Sequence, residues 1–268
     1  MELNTEIKGQ GEPILCLHGH PGCIASMSVF TNYLSQQYRT ITPDLRGYGK
    51  SRYRQDFMMQ EHLEDLIALL DKLEINRCLV LGWSLGGIIT MELALAQPDR
   101  FKGTILVATA AHPLSSHPQE TWQDLLFTGV AGITNYLKPA WQWNINTFGK
   151  RSLFRYLIQH HQPESYQYLA REGVPAYLQT SKVATKALVS AIRQGYNRLE
   201  DIEKINVPCL MLSGSEDRHI TAYASQKTAQ HLSDCKYINY PGVAHLFPWE
   251  IGDRVLADIQ EWLECHDF

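Results

Sequence analysis

Ser84 sits in Gly82-Trp83-Ser84-Leu85-Gly86, a G-x-S-x-G spacing that suits a nucleophilic serine held on a sharp turn. The apolar run Cys78-Leu79-Val80-Leu81 precedes it, and a helical pattern from Leu85 to Gln97 follows. A strand that turns at once into a helix strains the serine backbone and lifts the hydroxyl clear of the sheet. Glycines at 82 and 86 leave room for strand and helix to approach one another. A serine hydroxyl is a weak nucleophile at neutral pH. It needs a general base, usually histidine, and a buried carboxylate to orient that base.

On this kind of turn the partners follow in the order Ser, Asp or Glu, His. Asp217 lies in Ser213-Gly214-Ser215-Glu216-Asp217, after the apolar run Pro208 to Leu212. His245 lies in Pro241-Gly242-Val243-Ala244-His245, after a strand pattern from Cys235 to Tyr240. All three residues therefore fall just past strand ends, where open α/β sheets build their sites. Asp217 also reads as a solvated loop carboxylate or the N-cap of a helix near Thr221, and Glu216 competes for its role. His245 also reads as an ordinary loop histidine.

The oxyanion that forms on a substrate carbonyl needs two N–H donors. Leu85, next after the nucleophile, supplies one. The other comes from the loop after an early strand: Ile14 to Leu17 runs straight into His18-Gly19-His20-Pro21-Gly22, and His20 is the donor assigned there. His18 and His20 also form an H-x-H pair. No carboxylate or cysteine at metal-site spacing accompanies them, so a structural role for His18 and a lining role for His20 are expected, and no metal.

The elements that must hold these residues alternate. Residues 2–8 and Arg39 to Thr42 read as strands, and Gly103 to Ala108 as another. Leu63, Leu66, Ile67 and Leu70 mark one helix, and Val255, Ile259 and Trp262 a closing one. This predicts an α/β fold: a mostly parallel sheet with helices on both faces. Between about 112 and 206 the alternation breaks. The stretch is helical in pattern and rich in aromatics, Trp122, Trp141, Trp143, Tyr166 and Tyr177 among them. The division expected is a core of 1–111 and 207–268 with a helical cap, 112–206, inserted between, its aromatics mostly buried within the cap and against the core rim.

These motifs resemble the α/β-hydrolase superfamily, in the branch with a lid inserted in the sheet. His18-Gly19-His20-Pro21 is similar to the H-G-x-P loop of epoxide hydrolases and cofactor-free haloperoxidases. Asp44-Leu45-Arg46-Gly47-Tyr48-Gly49-Lys50-Ser51 resembles that branch's D-x-R-G-x-G-x-S segment. Gly82 to Gly87 is similar to the elbow of pimeloyl-carrier methyl ester esterases. Two departures narrow the reading. Epoxide hydrolases and haloalkane dehalogenases use an aspartate nucleophile where this chain has Ser84, and the H-G-x-G-P-G loop of ring-cleavage C–C hydrolases is absent. Many relatives begin with a two-stranded hairpin, so one edge strand is expected to be missing here.

The reading is a serine hydrolase that cleaves a small to medium, largely apolar ester-like substrate through an acyl-enzyme, with no cofactor. Alternatives on the same site are thioester, C–C or lactone chemistry, peracid formation, or a slow-turnover ligand receptor. The 268 residues carry a net charge of −4, which gives nucleic acid no general attraction. No apolar stretch is long enough to span a membrane and no signal peptide is evident, so no membrane partner and a cytoplasmic location are expected. The six scattered cysteines read as reduced thiols, those at 16, 78 and 209 in core strands. Residues 112–206 hold ten Lys/Arg and seven Asp/Glu, +3, against 14 and 21, −7, in the remainder. Lys150, Arg151 and Arg155 cluster there, read as one helix. The cluster is either a solvated face or a docking point for an anionic substrate or acidic carrier.

Overall fold

The computed structural model describes residues 1–119 and 121–268. The helices are α1 (Ser28–Leu34), α2 (Gln60–Lys72), α3 (Leu85–Ala96), α4 (Trp122–Leu137), α5 (Gln142–Thr147), α6 (Pro163–Tyr168), α7 (Val174–Gln179), α8 (Lys182–Arg193), α9 (Ala222–His231), α10 (Phe247–Glu250) and α11 (Gly252–Cys265). The strands are β1 (Thr5–Lys8), β2 (Pro13–Leu17), β3 (Arg39–Pro43), β4 (Cys78–Trp83), β5 (Phe101–Val107), β6 (Cys209–Gly214) and β7 (Cys235–Tyr240). They form one sheet in the order β1-β3-β2-β4-β5-β6-β7. Only β1 runs antiparallel to its neighbour, as an edge strand on β3.

Side chains alternate across a strand, and here both faces are covered. Leu15, Leu17, Cys78 and Val80 join one core with Leu63 and Leu66 of α2 and Ile89 and Leu93 of α3. Ile14, Cys16, Leu79 and Leu81 join the other with Phe30 and Leu34 of α1 and Val255, Ile259 and Trp262 of α11. That double coverage is why β4 is apolar along its whole length and not alternating. All six cysteines are free thiols. Burial pushes the Cys16 and Cys78 thiols up to about 12 and Cys209 to about 11, so these are inert packing groups.

Between β5 and β6 the chain forms α4 to α8, short 3₁₀ turns and a π-helical turn, Leu169–Gly173, with no strand among the described residues. This segment is tied to the rest by Leu246 N–H to the Leu157 carbonyl at 2.9 Å and Ser181 N–H to the Gly47 carbonyl at 2.8 Å. Arg198 grips Glu92 of α3 at 2.7 Å, and the Tyr168 ring stacks on Trp249 at 4.2 Å. Two sequence expectations change here. Lys150, Arg151 and Arg155 lie on two separate 3₁₀ turns, Gly149–Arg151 and Leu153–Tyr156, because Ser152 interrupts the run and caps the second turn. The aromatics are not mostly buried: Tyr166 is, while Trp122, Tyr136, Trp141, Trp143 and Tyr177 are exposed. Ile145, Ile158, Tyr166 and Leu169 join one of the two cores and Ala184, Ala187, Leu199 and Ile202 the other, while α4 is anchored through polar contacts described below.

Candidate active site

Ser84 falls between β4 and α3 with φ 54° and ψ −114°, a left-handed conformation that costs a non-glycine residue on the order of 1–3 kcal/mol. The surroundings hold it there. Its N–H donates to the Val107 carbonyl at 2.8 Å, and its carbonyl accepts from the Thr109 hydroxyl at 2.8 Å. Both flanking glycines are obligatory. A Cβ at Gly82 would lie 2.3 Å from the Gly86 carbonyl oxygen, and one at Gly86 would lie 2.1 Å from that of Leu17.

Parallel register carries the other two residues to the same sheet end. His245, in the turn after β7, places Nε2 3.2 Å from Ser84 Oγ. Its Nδ1 is 2.7 Å from Asp217 Oδ2, in the loop after β6. The second carboxylate oxygen of Asp217 accepts from the N–H groups of His219 at 2.7 Å and Ile220 at 3.0 Å, so the carboxylate cannot swing. Ser84, Asp217 and His245 are all buried. Glu216 is exposed and its side chain turns to Ser215. The N-cap of α9 is Thr221, whose hydroxyl accepts from Ala224 N–H, so Asp217 has no capping duty there.

Leu85 is the first residue of α3, so its N–H has no partner within the helix. The loop carrying His20 runs against the serine: a Cβ at Gly19 would approach Ser84 Cβ to 3.1 Å. The loop is braced from behind by the Asp44–Ser51 segment. His18 Nε2 accepts from Leu45 N–H at 3.1 Å, its Nδ1 donates to the Gly19 carbonyl at 2.8 Å, and His20 Nδ1 meets the Tyr48 hydroxyl at 2.9 Å. Asp44 accepts from Ile24 N–H and Lys50 N–H, each at 2.8 Å. With both ring nitrogens engaged by the backbone, His18 is a structural brace and not half of a metal pair.

Burial holds His18 and His62 neutral; it lowers the His18 pKa and takes that of His62, packed against Tyr48 and Phe57, down to about 3. The unfolded chain protonates both near 6.5, so below that pH it binds more protons than the folded chain. Stability is therefore present above about pH 6.5 and is lost as pH falls toward 3, by on the order of a few kcal/mol. Melting temperature should drop across this window, and His62→Phe should shift the acid limb to lower pH. An unchanged acid limb in that variant would contradict the assignment.

Several neighbours escaped the sequence reading. The Trp83 ring packs 5.8 Å from His245 and 4.7 Å from Trp249, which joins it to Tyr168. His219 stands edge-on to His245 at 4.7 Å, and His117 Nε2 lies 3.4 Å from His219 Nδ1. Nothing in their spacing along the chain marks these contacts; they arise where distant loops converge.

The chain belongs to the α/β hydrolase fold family, a family of hydrolases and esterases, whose family model matches residues 12–250. A pimeloyl-[acyl-carrier protein] methyl ester esterase of Aliivibrio fischeri (strain MJ11) is 29% identical over 277 residues, covering 98% of each chain. A 3-oxoadipate enol-lactonase of Acinetobacter baylyi is 26% identical over 80% of this chain and 74% of its own. Among solved structures, the enol-lactonase from Burkholderia xenovorans LB400 superposes with a TM-score of 0.76 at 20% identity, over 98% of this chain and 96% of its own, a likeness of fold.

Proposed function

We propose that this protein is a serine esterase that works through an acyl-enzyme on small to medium, largely apolar substrates. The carrying observation is the relay itself: a strained, buried serine whose hydroxyl meets His245 at 3.2 Å while Asp217 holds the far side of that ring at 2.7 Å. His245 takes the Ser84 proton as Oγ attacks the carbonyl carbon. The N–H groups of His20 and Leu85 receive the oxyanion. His245 then returns the proton to the leaving alcohol, and the acyl group stays on Ser84. Water attacks the acyl-enzyme with His245 again as base, releasing the acid. Asp217 keeps the imidazole in one tautomer and stabilises its cation throughout. The ester linkage fits the methyl ester esterase named above, to which this chain is similar over 98% of its length. A fluorophosphonate that labels Ser84 and no other serine, together with a burst of nitrophenol from short acyl esters, tests the reading. Labelling elsewhere would overturn it.

Residues 112–206 act in this reading as a cap over the site, enclosing the acyl or alcohol group and excluding water. Arg155 is committed to Asp124 at 2.8 Å, whereas Lys150 and Arg151 are exposed. They favour substrates with a remote negative charge. Added salt should then raise KM for an ester carrying a distant carboxylate and leave KM of its neutral analogue unchanged. Equal salt sensitivity would remove Lys150 and Arg151 from substrate recognition.

A further inference from the structure

A surface helix normally turns its apolar stripe inward and its polar side to water. α4 does the reverse. Asp124, Thr128, Ala131 and Asn135, at positions i, i+4, i+7 and i+11, face the protein. Asp124 is held by Arg155, and Thr128 Oγ1 accepts from Leu153 N–H at 2.9 Å. Asn135 donates to the Tyr166 carbonyl and accepts from Ala140 N–H, both at 2.9 Å. Asn144 donates to the Ala131 carbonyl at 3.0 Å. The opposite side carries Trp122, Leu125, Leu126, Ile133, Tyr136 and Leu137, each between 51% and 77% exposed. The bonds of Asp124, Thr128 and Asn135 are specific polar anchors, so the helix is fixed with its apolar face outward.

The exposed face is about 24 Å long at 1.5 Å per residue. It continues into Trp141 and Trp143, whose rings lie 4.8 Å apart, with Lys138 Nζ 4.5 Å over the Trp141 ring. Its exposed charges between 121 and 163 have one sign. From 121 to 163 the only carboxylate is Asp124, already bound to Arg155, while Lys138, Lys150 and Arg151 are exposed and the Gly149–Arg151 turn packs against α4.

We propose that α4 and the Trp141–Trp143 turn dock peripherally on an anionic lipid surface. Leu, Ile and Trp side chains would enter the headgroup boundary, where indoles and phenols favour the mixed polarity, and the cations would meet lipid phosphates. A second copy of this chain fits worse, because two such faces would bring their cations together. The exposed apolar side chains run the whole length of the helix, which suits a soft, continuous surface. The expectation of no membrane partner rested on the lack of a spanning segment, and peripheral docking needs none; no helix among the described residues is long and apolar enough to cross a membrane. Docking would also set the site near the interface: Arg155 bonds the Tyr156 hydroxyl at 2.7 Å, and His117 bridges that ring, at 5.3 Å, to His219 beside His245.

Vesicle flotation of the full chain tests this, using phosphatidylcholine alone and phosphatidylcholine with phosphatidylglycerol. Binding to the anionic vesicles should exceed that to the neutral ones roughly tenfold or more and weaken with salt. Leu126→Glu and Ile133→Glu should each abolish it, and Lys138→Glu should reduce it several-fold. All three glutamate variants should keep wild-type melting and wild-type hydrolysis of a soluble neutral ester, which separates lost docking from lost fold. Equal binding to both vesicles, or none, would overturn the proposal. So would a dimer in solution that Ile133→Glu dissociates, or binding confined to a purified acidic carrier protein. A chain that floats but cleaves no ester would leave this proposal standing and remove the esterase reading.

Discussion

Ser84→Ala should lower turnover of a short acyl ester by about three orders of magnitude or more while leaving the melting temperature unchanged or higher. In the proposed mechanism no acyl-enzyme forms without Oγ, and what remains comes from the oxyanion donors and binding alone. The fold should tolerate the change because Ser84 is held through its backbone, by Val107 and Thr109, and not through its hydroxyl. Alanine also relieves none of the positive φ, so the turn persists. Steady-state kinetics with thermal melts decide the matter. An alanine variant that retains its turnover would show that the serine is not the nucleophile.

Asp217→Asn should lower turnover by about 10³-fold or more, with little effect on KM. The position has a particular vulnerability. Oδ1 receives two backbone N–H groups from 219 and 220, which favours placing the amide oxygen there and turns the amide NH₂ toward His245. The imidazole would then have to accept at Nδ1 and carry its proton on Nε2, where it can no longer take one from Ser84. Glu216→Gln should leave turnover essentially unchanged, since its carboxylate is exposed and faces Ser215. Reversed effects would place the orienting carboxylate one residue earlier.

The elbow and the order of its partners were readable because they are local. Gly82, Ser84 and Gly86 lie within one turn, and the strand and helix around them each have a clear period. The loops of Asp217 and His245 could be found because apolar strand patterns end immediately before them. The choice between Asp217 and Glu216 was not readable. Adjacent loop residues have no periodicity, and only the packing of the 213–217 turn against the 241–245 turn sends one inward. The bracing of the H-G-x-P loop was likewise hidden, since it joins His18 to Leu45 and His20 to Tyr48 across different strands.

The amino-acid sequence alone determined the class of fold, the turn that carries Ser84 and its candidate partners Asp217 and His245, because strand alternation, helix period and turn chemistry act over a few residues. It also marked 112–206 as a helical insertion, since the strand signal stops there. It misjudged what that insertion does with its aromatics. An apolar helical stripe reads the same whether it faces a core or solvent. The direction of α4 was decided only by tertiary contacts, in which Arg155, Leu153 and Tyr166 supply partners for Asp124, Thr128 and Asn135. A buried polar group left unpaired costs more than a net hydrogen bond contributes, so satisfying those three groups set the helix with its apolar side outward.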